Sequence, residues 1–149
     1  MTPKIVLASS SPRREKLLRK LGLDFDIISP EVAERHLTGE SPADCASRIS
    51  LEKALSVASK LNHKQLVIGA DTIVVCCGEI LGKPKDREHA KSMLTRLSGR
   101  YHRVITGLSI VRSKREVLHC ESVESKVRFK KSAIAMPPAE MTPSSANPL

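Results

Sequence analysis

The chain has 149 residues, 40% hydrophobic and 28% charged, a length and balance that fit one soluble globular domain with a core of its own. Lys and Arg number 25 against 16 Asp and Glu, a net charge of +9 that favours an anionic partner, either a nucleotide or a nucleic acid. One Tyr and two Phe leave almost nothing for bases to stack on, which argues against a specific nucleic-acid module.

Ile5 to Ala8 predict a buried strand that stops at Ser9-Ser10-Ser11-Pro12-Arg13-Arg14, where Ser11 reads as an N-cap and Pro12 as the first helical residue. The apolar run is too short for a signal peptide or a membrane span, so a cytoplasmic chain with no membrane partner is expected. At a strand-to-helix elbow the first N–H groups lack internal partners and the helix dipole is positive, so an anion is the natural guest. Arg13 and Arg14 offer forked donors for phosphate oxygens, and Ser9 and Ser11 offer hydroxyls. Two cations at that end of a helix are unfavourable by about 0.3–1 kcal/mol each unless an anion offsets them. A capped helix with two solvated arginines is the alternative on this stretch alone.

Leu17, Leu18 and Leu21 give the helix an apolar stripe, Gly22 its stop, and Phe25 to Ile28 a second strand. Pro30 to Gly39 is polar and irregular, and spacing alone makes Glu34 a solvated loop carboxylate. Ser41 caps a long helix running to about Lys60, with Asp44 at its third position. Its core face is expected to carry Ala46, Ile49, Ala54, Leu55, Ala58 and Leu61, leaving Arg48, Glu52 and Lys53 as solvated charges. Lys53 gains a role only if its surface borders the site.

Gln65 to Val75 is the most hydrophobic stretch and is interrupted by one acid, Asp71. A carboxylate inside an apolar strand must offset its desolvation with a metal, a cation or strong donors, which makes Asp71 the best candidate for chemistry. Gly69 and Ala70 before it leave room for a ligand or a neighbouring backbone. The alternative is a turn or capping acid at the strand's end. After Gly78 the chain returns through Glu79-Ile80-Leu81 to Gly82-Lys83-Pro84, where the proline holds Lys83 extended, able to reach a phosphate or simply solvated.

Asp86 caps a third helix, with Ala90, Met93, Leu94 and Leu97 on its buried stripe and Gly99 at its close. The stretch Ser98 to Leu108 opens a strand running to about Val111, on which His102 has no ligand at metal spacing and reads as a strand-surface histidine. After a turn at Ser113 to Glu116, the return strand sets Val123, Val127 and Phe129 on one face against Glu124, Lys126 and Arg128 on the other. Cys45, Cys76, Cys77 and Cys120 show no C-x-x-C spacing and are expected as buried reduced thiols, the adjacent pair pointing to opposite faces of a strand. From Ser132 the pattern collapses, so a domain over residues 1–131 and a disordered or divergent tail over 132–149 are expected.

Together, Ser9 to Arg14, Gly69-Ala70-Asp71-Thr72-Ile73-Val74, Leu81-Gly82-Lys83-Pro84, and Leu97-Ser98-Gly99-Arg100 leading through His102 to Thr106-Gly107 resemble the Maf family of nucleotide pyrophosphatases. The resemblance implies an α/β fold, a mixed twisted sheet flanked by helices in two lobes around a cleft, similar to the inosine-triphosphate pyrophosphatases. It implies cleavage of a nucleoside triphosphate to the monophosphate and pyrophosphate with Mg²⁺ or Mn²⁺. Ser9, Ser11, Arg13, Arg14 and Lys53 would line the substrate, Asp71 and Glu34 would be the metal-side acids, and Lys83 would neutralise phosphate charge. The Gly-Ala-Asp-Thr-Ile-Val form resembles the branch acting on dTTP, UTP and modified pyrimidine nucleotides, with Thr72 helping to select the base. Family chains continue with a further strand and helix set, so exposed sheet edges that invite instability or association, a homodimer being one form, are expected, and an inactive chain that only binds nucleotide or a partner is the alternative function.

Overall fold

A computed structural model describes residues 4–61, 65–82, 84–113 and 116–130. Three short stretches of the chain, β1 (Ile5–Ala8), β2 (Phe25–Ile28) and the first part of β3 (Leu66–Cys76), pair in parallel, with β1 between the other two. Along its other edge β3 pairs antiparallel with β5 (Tyr101–Arg112) from Leu66 to Val75, near its end it pairs antiparallel with β4 (Glu79–Leu81), and β5 pairs antiparallel with β6 (Glu116–Arg128). The result is one mixed six-stranded sheet in the order β2-β1-β3-β5-β6, with β4 alongside β3. This is the mixed α/β sheet that the sequence predicts.

The three helices begin where their caps place them. Ser11 opens α1 (Pro12–Lys20), Ser41 opens α2 (Pro42–Ala58) and Asp86 opens α3 (Arg87–Leu97), each side chain accepting a backbone N–H of the first turn. α2 lies across β3 and β5, burying Cys45, Ala46, Ile49, Ala54, Val57 and Ala58 against Val6, Val67, Ile73, Val75, Ile105 and Val111. The approach is very close at two glycines. A Cβ on Gly69 would stand 2.3 Å from the Ser50 carbonyl oxygen, and one on Gly107 would stand 2.0 Å from that of Ala46. The room that Gly69 leaves is thus taken by the α2 backbone.

Several expectations are corrected. α1 fully buries none of its residues: Leu17 and Leu18 are half-buried and Leu21 is 73% exposed. Val123 on β6 is also exposed, since that strand forms one border of the sheet among the described residues. His102 is not a surface residue. It is buried, with its ring edge-on to Phe129 at 4.8 Å, neither ring nitrogen has a hydrogen-bond partner among the described residues, and burial pushes its pKa down. The thiols are divided too, with Cys45 and Cys76 buried and Cys77 and Cys120 exposed. Lys83, the 113–116 turn's centre and the expected boundary at residue 131 lie outside the described residues.

Candidate active site

The site begins where β1 ends. Ser9 is buried and its Oγ accepts the backbone N–H of Ser11 at 3.0 Å, which leaves its hydroxyl hydrogen to donate. Ser11 is committed as the cap of α1, accepting the N–H of Arg14 at 3.4 Å. Arg14 turns inward and donates from Nη2 to Thr72 Oγ1 on β3 at 3.0 Å. Burial lowers its pKa, as it does that of Arg13, while Asp71 and Glu34 favour its charge. The arginine reading is therefore not that of two solvated side chains.

Asp71 sits in mid-strand rather than at a strand's end, and its carboxylate is 9% exposed. Its Oδ1 accepts from Lys53 Nζ at 3.1 Å, and Lys53 also donates to the Ala70 carbonyl at 3.4 Å. Glu34 completes the group, its Oε1 lying 2.7 Å from the same ammonium while its side chain stays 44% exposed. Burial raises the pKa of Asp71, and Glu34 adds to the rise, whereas Lys53 and Arg14 oppose it. Lys53, expected as a solvated charge, is instead a buried cation shared by two acids.

Two further residues, which the sequence gives no role at the site, support it. Thr106 faces Thr72 across the β3–β5 ladder, with their hydroxyl oxygens 3.3 Å apart, so Thr72 is held between Arg14 and Thr106. Only the register of that ladder reveals the pairing. Arg48 binds Glu40 through Nε at 2.7 Å and Glu52 through Nη1 at 2.8 Å, and also donates to the Arg35 carbonyl. It thereby pins the 30–40 loop, and with it Glu34, onto α2. The spacing of Arg48 and Glu52, one turn apart on α2, is the signal for that pair, whereas the bond to Glu40, before the helix, needs the fold.

The two faces of β3 contribute different chemistry, since adjacent side chains on a strand point oppositely. Asp71 meets the cation on the α2 side, and Thr72 meets the arginine from α1. Among the described residues, no group of three or more His, Cys, Asp or Glu is placed to hold a metal. Nor is any described helix long and apolar enough to cross a membrane.

Comparison with known proteins gives the family and the fold. The model of the Maf-like protein family matches residues 4–136. The chain is 47% identical over 127 residues to the dTTP/UTP pyrophosphatase of Geobacter sulfurreducens, covering 85% of this chain and 66% of that protein. It is 50% identical over 128 residues to the dTTP/UTP pyrophosphatase of Thermoanaerobacter sp. strain X514, covering 86% and 66%. The chain thus spans just under two thirds of the length of these relatives. Among solved structures, the Ham1 proteins of Staphylococcus aureus and Coxiella burnetii share the fold, with TM-scores of 0.53 and 0.52 at 19% and 15% identity. The matches cover 83% of this chain and 69% of the first structure, and 84% and 71% for the second. With most of its length matched by the family model, the chain belongs to the Maf family.

Proposed function

We propose that the protein is a nucleoside triphosphate pyrophosphatase that converts dTTP and UTP to the monophosphate and pyrophosphate. The observation that carries this reading is the convergence of Asp71 and Glu34 on one buried cation, beside an arginine turned in from a helix N-terminus. A triphosphate brings negative charge to that helix end, where the dipole is positive and Ser9 and Arg14 provide donors in a partly dry setting. In the proposed reaction a water oxygen attacks the α-phosphorus, the bond to the α,β-bridging oxygen breaks, and pyrophosphate leaves with that oxygen. Asp71 takes the water's proton, and Lys53 holds its carboxylate ionised and in place despite burial. Arg14 holds phosphate oxygens in line, with Arg13 and the Ser9 hydroxyl as further donors. Thr72, fixed by Arg14 and Thr106, supplies a hydroxyl of set orientation for choosing a pyrimidine.

The residues also fit Mg²⁺ or Mn²⁺. Asp71 and Glu34 meet at the Lys53 ammonium with one oxygen each, so a hard ion, which takes one or two protein carboxylates and completes its shell with phosphate oxygens and water, would bind beside that ammonium or in its place. Asp71 and Glu34 would hold it, and when bound it supplies neutralisation of phosphate charge and a more acidic water.

The test is pyrophosphate release by the full chain with Mg²⁺ or Mn²⁺ across the common nucleoside triphosphates, with Asp71→Asn alongside. Release from dTTP and UTP that disappears in the variant is expected. Absence of release from folded protein that still binds nucleotide would replace the enzyme reading with a binding one.

A further inference from the structure

The β3–β4 turn carries a pair of thiols that the proposed reaction does not use. Cys77 and Gly78 are its two central residues, both in the left-handed region with φ of 56° and 78°. This is the two-residue form that matches the twist of a hairpin. In such a turn the strand's alternation lapses, so the two cysteine side chains do not point to opposite faces. Their sulfurs lie 3.4 Å apart, Cys76 buried and Cys77 exposed. Arg100, the residue before β5, donates through Nη1 to Cys77 Sγ at 2.9 Å. Arg96 is close by, held by Glu79 at 2.6 Å, and its own carbonyl lies 3.8 Å from Cys76 Sγ.

We propose that Cys76 and Cys77 form a peroxide-reactive dithiol that closes reversibly to a disulfide between adjacent residues. Cys77 is the attacking sulfur, since it is reached by solvent and an arginine N–H stabilises its thiolate. Its contacts with Cys76 and Arg100 lower its pKa, while burial raises that of Cys76. The thiolate attacks one oxygen of hydrogen peroxide, the O–O bond breaks, and a sulfenic acid forms with hydroxide leaving as water. The Cys76 sulfur then attacks the Cys77 sulfur, the S–O bond breaks, and a second water leaves with the Cys76 proton. Two thiols are oxidised by two electrons to one disulfide, and one peroxide is reduced to two waters. Adjacent Cα atoms stand about 3.8 Å apart across a trans peptide, below the usual disulfide span, so the bond is strained and easily reduced.

The experiment is exposure of the full chain to near-equimolar hydrogen peroxide, followed by alkylation and peptide mass spectrometry. The peptide holding both cysteines is expected to lose the mass of two hydrogens, to resist alkylation and to recover both thiols with dithiothreitol. When the treated chain is unfolded for alkylation, Cys45, whose thiol burial pushes up to about 11, and Cys120 are expected to be recovered as free thiols. Replacing the exposed arginine, Arg100→Gln, is expected to slow alkylation of Cys77 by roughly three- to tenfold. Cys77→Ser is expected to abolish the mass loss. Oxidation of Cys120 first, alkylation of both Cys76 and Cys77 after peroxide, or an unchanged rate in Arg100→Gln would each overturn the proposal. The wild-type measurement needs no variant to fold.

Discussion

Gly107→Ala asks how firmly α2 is seated on the sheet. The new Cβ would stand 2.0 Å from the Ala46 carbonyl oxygen, 2.3 Å from its carbon and 2.8 Å from the Ser47 nitrogen. All three are helix backbone atoms, so no side chain can swing aside and α2 must retreat by more than an ångström. That retreat opens the layer formed by Cys45, Ala46, Ile49, Ile73, Val75 and Ile105. Overpacking of a core by one methyl group costs about 1–3 kcal/mol when side chains can yield. With backbone on the receiving side, a loss above about 3 kcal/mol is expected, a large part of the roughly 5–15 kcal/mol that holds a domain folded. In urea unfolding this moves the midpoint down by more than about 1 M at a slope of about 1–3 kcal/mol/M. Gly82→Ala is the control, because a Cβ there meets nothing within 4 Å, and it should fall within about 0.5 kcal/mol of wild type. A Gly107→Ala midpoint equal to that control would refute the seating of α2 described above.

The site yields further predictions. Lys53→Met leaves Asp71 buried without its cation and should cost about 3–5 kcal/mol near neutral pH. The deficit should shrink in urea titrations as pH falls and Asp71 takes up a proton. Because the Asp71 pKa is raised on folding, its favourable contribution is full below the unfolded pKa and is lost as pH rises through the folded one. The acid limb of kcat/KM for dTTP should accordingly lie above the ordinary aspartate range, and a limb at or below that range would remove Asp71 as the base. Arg14→Lys loses the planar fork and the bond to Thr72, so kcat/KM should fall by at least about tenfold, measured as pyrophosphate release. His102→Phe replaces a buried imidazole whose nitrogens are unbonded among the described residues, and should raise the urea midpoint. The gain should be larger below about pH 6, since a His pKa lowered on folding costs stability as pH falls through its unfolded value.

The elements were legible because their ends carry chemistry that needs no tertiary context. Ser11-Pro12, Ser41-Pro42 and Asp86 each cap the helix predicted for them. The misses share another cause. Lys53 was assigned to the solvated side by its charge, although it lies four residues from both Ile49 and Val57 and so falls within the buried stripe. His102 shares strand parity with Val104 and Thr106, which are also buried, but its polarity outweighed its position. Cys77 was read as strand because hydropathy does not register a left-handed turn. In each case residue type points to solvent or strand, and tertiary neighbours such as Asp71, Phe129 and Arg100 decide otherwise.

The place of the site follows from the pairing. β1 ends at Ala8, opposite Gly69, and β2 ends at Ile28 beside it. At Ser9 the chain leaves the sheet for α1, while β3 runs on through Ala70, Asp71 and Thr72 with β5 on one side only. The opposite edge of those residues therefore opens beyond the carboxyl end of a parallel strand, where a helix N-terminus also points, the position at which α/β sheets take ligands. Lys53 reaches that gap because Gly69 lets α2 press onto β3 at Ser50, one turn before the lysine meets Asp71. The same contact that closes the core thus sets the Lys53–Asp71 distance of 3.1 Å. Changes that lift α2 slightly should then disturb the acid–lysine group before the protein unfolds, and activity should fail at lower urea than the cooperative loss of helix.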